Sequence, residues 1–426
     1  MIALLTTAVT AAVLTAAPFS SSGYRESPRH PRVVLAPRAG REATIAIHFH
    51  SGSVQDGTSS GLTRVSQYAM LVANRSSSYR SLVLDCFGAG ASLEIQTGLR
   101  ESAFVLTAPQ RDFERLAREL ASMVLAPVLV PARFSEAVER TLHDAREPGH
   151  GRDLVSIIAA KVLDDPRYQN DPYGERGAIE RITTEEVRAQ LQGPLSPANA
   201  TVVVTGSFVP ESVRRWLHKL QGGRAQPQSR ADLSTPFGVQ VPATQEIFIL
   251  AYKSSFETAQ QSAAARVLAS MIEERVDRVF RDRGVGYSQW IIPFHSRWLD
   301  LMVIGLPAHQ ASDRPLGPDL EDQVIDMREG SFKDDELERN RAHVLAELDE
   351  IDRSAPLLAE ALGEGEGEWF GPQVVDQVRS LSRQGVLDAA RKIFSEQASV
   401  RIFYSPKVMQ QGTIKAAVRS TRGGRQ

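Results

Sequence analysis

Few side chains in this 426-residue sequence stand in patterns that do chemistry, and most of those are histidines and carboxylates. His48 and His50 alternate along a run of period-two hydrophobicity, which puts both on one face of a strand, where residues at i and i+2 can share a metal ion. His143 and Asp144 follow on a helical stretch, so a relocated zinc site can draw on these four residues. Edge or surface histidines are the commoner product of such a pattern, and that reading stands beside the first. Serine, histidine and aspartate are plentiful, but no Gly-x-Ser-x-Gly elbow is expected to arm them as a hydrolytic triad. The single cysteine, Cys86, excludes an internal disulfide and a cysteine-based zinc cluster, and reads as a buried strand residue. Gly284 and Gly286 lack the strand-then-helix setting of a phosphate-binding loop.

Hydrophobic periodicity predicts the elements that must position these residues. Strands are expected at 33–35 and 43–49, the second with Ile45, Ile47 and Phe49 on one face and Ala46, His48 and His50 on the other. A helix follows over 60–73, then strands over 91–96 and 102–107, and helices over 111–125, 134–146, 154–163 and 183–191. A strand over 201–205 closes this half, and the aperiodic polar stretch 221–236 reads as a linker. The plan then restarts with a strand over 247–252, a helix over 259–280, a strand over 299–305 and a helix over 332–351. A loop at 363–371, a helical stretch over 375–394 and a strand over 400–404 end it. Pro109 and Phe134 recur as Pro307 and Phe332, 198 residues later in each case, which indicates an internal duplication too long in period for a solenoid.

The segment from Gly52-Ser53 to Met70 resembles the pitrilysin/insulinase metallopeptidases. In that family a strand ends in Gly-Ser, and a helix opens with Gly-Leu and carries an inverted zinc motif, His-x-x-Glu-His. Here the stretch reads Gly61-Leu62-Thr63-Arg64-Val65-Ser66-Gln67-Tyr68-Ala69-Met70. Arg64 and Tyr68 stand at the histidine positions and Gln67 at that of the general-base glutamate, while Asp144 matches the third ligand's glutamate, one methylene shorter. A permanent cation, an amide and a phenol do not make a zinc site, and one carboxylate cannot hold a catalytic zinc that takes three protein ligands. The order of weaker motifs agrees with the family: Phe87 to Ser92 as a glycine-rich strand entry, Asp171-Pro172-Tyr173-Gly174 for its His-Pro-Tyr-Gly loop, and Pro197 to Gly206 as the closing element. The resemblance spans residues 31–406.

The resemblance implies an α/β (α+β) fold of two homologous repeats, each a mixed β-sheet with helices packed on one face. The expected division is a signal peptide and disordered N-terminus at 1–30, an N-terminal peptidase-like domain at 31–220, a linker at 221–245, a C-terminal peptidase-like domain at 246–406 and a basic tail at 407–426. It implies a pseudo-peptidase that needs no cofactor of its own, with zinc expected only in a partner. That partner is a zinc-bearing homologous peptidase subunit or a second copy of this chain, enclosing a peptide substrate. The family's substrate-binding arginine and tyrosine find counterparts in Arg281 and Tyr287, the arginine only if one residue is deleted from the spacing. Read without the resemblance, Arg281 is a surface charge and Tyr287 a half-buried strand residue. The glycine-rich substrate-capture loop of the inactive processing-peptidase subunit is absent, since residues 268–273 read Leu-Ala-Ser-Met-Ile-Glu. A scaffold role, like that of the inactive core proteins of the cytochrome bc1 complex, and an active hydrolase with an unconventional site are the alternatives.

Composition narrows the field further. A formal net charge of −2, with acids and bases mixed along the chain, offers no broad basic face and sets nucleic acid aside as a partner. The uncharged run over 1–17 is short for a membrane span and ends in small residues, so it reads as a signal-peptide core and predicts export to the periplasm or beyond.

Overall fold

The computed structural model describes residues 22–75, 79–145, 166–224, 238–242, 246–256, 258–282, 289–295, 300–308, 316–364, 371–395 and 399–405. The N-terminal run, the helix expected over 154–163, Tyr287 and the basic tail lie outside them.

Eleven described strands form two mixed sheets. The first comprises β1 (Ser22–Tyr24), β2 (Arg32–Pro37), β3 (Glu42–Phe49), β4 (Ser92–Thr97), β5 (Ser102–Pro109) and β6 (Ala200–Gly206) in the order β1-β2-β6-β3-β5-β4. The second comprises β7 (Gly238–Pro242), β8 (Glu246–Lys253), β9 (Trp290–His295), β10 (Asp300–Ala308) and β11 (Ser399–Ser405) in the order β7-β11-β8-β10-β9. The second order repeats the first without β1, and each sheet has its one parallel pair in the matching place, β2 with β6 and β7 with β11. The duplication expected from two landmarks is thus present in the hydrogen bonding of whole sheets. Strand β7 lies inside the stretch expected to be linker; its partner β11 is supplied from the far end of the chain, a signal no local pattern carries.

Helices cover one face of the first sheet. Helix α1 (Leu62–Val72), α2 (Tyr79–Ala89), α3 (Gln110–Leu125) and α4 (Phe134–Asp144) precede two shorter ones, α5 (Arg176–Ile179) and α6 (Thr184–Gln192), and then α7 (Pro210–Leu217). Ile45, Ile47 and Phe49 of β3 point into the core that Val65, Leu116, Leu120 and Val124 share, as their alternation requires. Helix α6 opens with a capping box in which Thr183 and Glu186 satisfy each other's backbone donors. Cys86 is buried on a helix and not on a strand. Leu82 and Cys86, four apart, face the core, while Val83, Leu84 and Phe87 of α2 are exposed, Phe87 by 86%.

The second sheet carries α8 (Ala259–Asp282), α9 (Leu316–Glu329), α10 (Asp334–Arg353), α11 (Ala355–Glu364), α12 (Pro372–Ser380) and α13 (Arg383–Ile393). The helix expected over 375–394 is two, because Leu381 turns to an extended conformation and the Ser382 hydroxyl caps α13 by accepting from Gly385 N. Helix α11 crosses to the first sheet, where Leu358, Ala359 and Leu362 pack on Val34, Ala36, Ala46 and Val203. Arg38 donates to Asp352 through Nε (3.0 Å) and Nη2 (2.6 Å), and Thr205 donates to the Ala355 carbonyl, 2.6 Å away. The second face of the first sheet is therefore covered by the other half of the chain. His48 lies on that face, 5% exposed, against Gly363, where a β-carbon would come within 2.0 Å of its Nε2.

Candidate functional site

The site begins at the entry to α1. Gly61 (φ +94°) and Gly174 (φ +85°) lie back to back, and a β-carbon on Gly174 would sit 2.5 Å from the Gly61 Cα. Only glycine permits both the left-handed backbone and this approach. Asp56 is fully buried beneath the helix entry, its carboxylate accepting from Gly61 N (3.0 Å), Thr63 N (2.9 Å) and the Thr63 hydroxyl (2.6 Å). Burial pushes its carboxyl up to about 7, against those hydrogen bonds, which pull it down.

From this entry α1 directs Arg64, Gln67 and Tyr68 towards β4 and α4. All five N–H groups of the Arg64 guanidinium have acceptors. Nε and Nη2 donate to Asp144 Oδ2 (3.0 and 2.6 Å), Nη1 to the Ile95 carbonyl (2.8 Å) and Thr97 Oγ1 (3.2 Å), and Nη2 also to Tyr68 OH (3.3 Å). The Tyr68 hydroxyl donates in turn to Asp144 Oδ2, 2.7 Å away. Burial is the main reason the phenol is held well above its ordinary range; Arg64 opposes the shift and Asp144 adds to it, so Tyr68 stays a neutral donor. The guanidinium carbon lies 4.8 Å from the ring centres of both Tyr68 and Tyr173, a cation flanked by two aromatic rings.

Gln67 is fully buried and equally committed. Its Nε2 donates to the carbonyls of Gln96 (2.9 Å) and Ala103 (3.4 Å), and its Oε1 accepts from Thr97 Oγ1 (2.5 Å). Both amide protons tie α1 to β4 and β5, and none is left to orient a water for attack.

The four positions named from sequence, Arg64, Gln67, Tyr68 and Asp144, therefore meet in one place, across 80 residues between Arg64 and Asp144. Zinc does not fit the set. A permanent cation occupies its centre, the phenol is held protonated, and Asp144 Oδ2 already accepts three hydrogen bonds. The two helices that a shared metal would join are joined by an ion pair. Tyr173, named from sequence only as part of the Asp-Pro-Tyr-Gly motif, and Thr97, which no motif marked, complete the network. The Tyr-Gly order in the loop at 171–174 was the available signal for the first, because a glycine with positive φ lets that loop reach the entry of α1.

The remaining candidates do not come together. His50 Nε2 is 2.9 Å from Thr201 Oγ1, and His48 faces α11. His143, at the end of α4, makes no metal cluster with them among the described residues. Arg281 is exposed on the last turn of α8 and pairs with Asp277, while Tyr287 lies outside the described residues. Against the expectation that no Gly-x-Ser-x-Gly elbow is present, one such spacing does occur, Gly57 to Gly61. Its Ser59 hydroxyl donates to Glu186 Oε1 (2.7 Å) and so ties the loop before α1 to α6.

The sequence matches no family model and no curated protein. Solved structures match over nearly the whole chain. A protease from Helicobacter pylori aligns with a TM-score of 0.75 at 12% identity, covering 91% of this chain and 100% of its own. The inactive domain of an M16 peptidase from Pseudomonas fluorescens gives 0.72 at 14% identity, covering 92% and 99%. The first half of the periplasmic protease PqqL from Escherichia coli gives 0.72 at 11% identity, covering 96% and 98%. The two-sheet α/β fold is that of the M16-like peptidases, as the resemblance to the pitrilysin/insulinase type implied.

Proposed function

We propose that this chain, built on the M16-like peptidase fold, is a pseudo-peptidase that serves as the non-catalytic partner of a zinc-bearing homologue. The observation that carries this reading is the Arg64 guanidinium, which stands at the first metal-ligand position with all five donors bonded. A site closed by a permanent cation supplies neither metal ligand nor general base. A matching Pseudomonas fluorescens structure is itself an inactive M16 domain, and the Escherichia coli protein is a periplasmic protease, which supports export of this chain as well. In the proposed complex the partner brings the metal and this chain closes the chamber around a peptide.

A second reading, a purely structural subunit, is favoured by the placement of Arg281, which is exposed and paired with Asp277 on its own helix. The test is purification of the complex from its native cell, identification of the companion chain and peptide-hydrolysis assays on the reconstituted pair. Loss of activity on mutating a His-x-x-Glu-His motif in the companion, with activity retained in R64M, is the expected result. Activity that disappears with the R64M substitution while the complex still assembles would sink the non-catalytic assignment. R281A and Y287F divide the two readings, since a chain that lends these residues to the shared site loses turnover with them and a scaffold does not.

A further inference from the structure

A cluster of metal-ligating groups lies at the opposite edge of the first sheet from β4, where β1 turns into β2 and meets the end of α7. Glu26 and His30 belong to that turn, and His218 is the residue that caps α7. Their donor atoms, a Glu26 carboxylate oxygen and one ring nitrogen from each histidine, all lie within 4.8 Å of one another. We propose that Glu26, His30 and His218 bind a divalent transition-metal ion of the zinc class, and that the ion staples the N-terminal turn to the body of the first unit.

His30 is the anchored member. It is 9% exposed, its Nδ1 is 2.8 Å from Ser27 Oγ, and its backbone N–H donates to the Ser27 carbonyl, 3.0 Å away. In the tautomer that donates from Nδ1 to Ser27 Oγ, Nε2 presents a lone pair beside the Glu26 carboxylate (3.6 Å) and the His218 carbonyl (3.1 Å). In this tautomer a cation held between the three groups satisfies them together; in the other, His30 Nε2–H donates to the His218 carbonyl, and metal binding displaces that proton. A hydrogen bond at the far ring nitrogen is also the usual support of a metal-bound histidine, because it fixes the tautomer and the ring plane.

The spacing suits zinc. Tetrahedral ligands at about 2.0–2.1 Å from the ion stand about 3.4 Å apart, close to the 3.6 Å between His30 Nε2 and Glu26 Oε2. The Glu26 carboxylate and His218 Nδ1 are in closer contact than that and must open, which the His218 side chain, 67% exposed, is free to do. The two imidazole rings stack, 5.9 Å apart and 15° from parallel, so the exposed His218 ring must also tilt for both in-plane lone pairs to meet at one ion. Two nitrogens and one carboxylate select a borderline first-row ion over magnesium or calcium, which require more oxygens.

This site is independent of the Arg64 network, so its failure would leave the pseudo-peptidase reading untouched. The experiment uses the full, tag-free chain stripped with a chelator and titrated with Co2+, followed by visible absorption and then by Zn2+ displacement. One equivalent of Co2+ with a low-symmetry d–d spectrum is expected, together with a rise in the thermal midpoint on adding Zn2+. S27A should weaken binding by about tenfold, as loss of an orienting partner does, and E26Q or H218A by more than about 100-fold. His218 is exposed, so H218A folds whatever becomes of the ion, and circular dichroism verifies this. No stoichiometric Co2+ spectrum, or an affinity unchanged in both E26Q and H218A, would overturn the proposal.

Discussion

Replacing Arg64 by methionine probes whether the guanidinium is the strut between α1 and α4. Methionine keeps an unbranched apolar stem and removes all five donors. Asp144 Oδ2 then loses two of its three donors, keeping only the Tyr68 hydroxyl, and the half-buried Ile95 carbonyl loses its side-chain donor. Breaking a buried ion pair from one side costs about 3–5 kcal/mol. The Asp144 side chain is 20% exposed, so water recovers part of that loss and about 3 kcal/mol is expected. D144L leaves the guanidinium charge in place, 7% exposed, but with the Ile95, Thr97 and Tyr68 oxygens and two ring faces still around it, which again gives about 3 kcal/mol.

R64M/D144L removes both charges together and leaves only neutral groups unpaired, so it also costs about 3 kcal/mol and the coupling energy is about 3 kcal/mol. Hydrogen exchange of the α1 amides reads this unit alone, and urea unfolding gives the global counterpart. For a unit of this size each kcal/mol moves the thermal midpoint by about 2–4 °C, so a single substitution lowers it by roughly 10 °C. Two single losses that add in the double variant, or an R64M protein with unchanged α1 protection, would refute the strut.

Two further outcomes follow from the same pocket. Q67E sets a carboxylate against the carbonyls of Gln96 and Ala103 at a fully buried position, so it should cost about 3–5 kcal/mol in thermal unfolding and exceed the loss in Q67L; equal losses would mean that the carboxylate is not held against those carbonyls. Asp56 has a folded-state value of about 7 against an ordinary 3.8, so its stabilising contribution is complete below about pH 4 and is lost as pH rises through 7. The stability of the native chain relative to D56N should fall across that window by up to about 4 kcal/mol, and a flat difference in denaturant titrations would contradict the shift.

The parts of the fold legible in the sequence were those with a local cause. The alternation in β3, the three-and-four spacing of α3 and the capping box before α6 depend on residues within a few positions of one another, and each element stands where its pattern put it. Elements whose reason lies far along the chain were missed. Strand β7 exists because β11 pairs with it, α11 because it covers the first sheet, and α2 because only one side of an apolar run, Leu82 and Cys86, meets the core. Cys86 was placed on a strand for the same reason: an apolar run of that length does not declare its period.

The candidate site divides along the same line. Residue types alone said what Arg64, Gln67 and Tyr68 cannot do, since charge and basicity are properties of a side chain wherever it stands. What they do instead depends on distance in space: the Asp144 acceptor 80 residues away, the Tyr173 ring on a separate loop, the carbonyls of β4 and β5. These contacts form a closed set of donors and acceptors, so single steps back towards a zinc motif are opposed. A histidine at Arg64 leaves Asp144 short of donors, and a glutamate at Gln67 faces two carbonyl oxygens. The four positions are therefore coupled as a unit, and a return to metal chemistry would require them to change together.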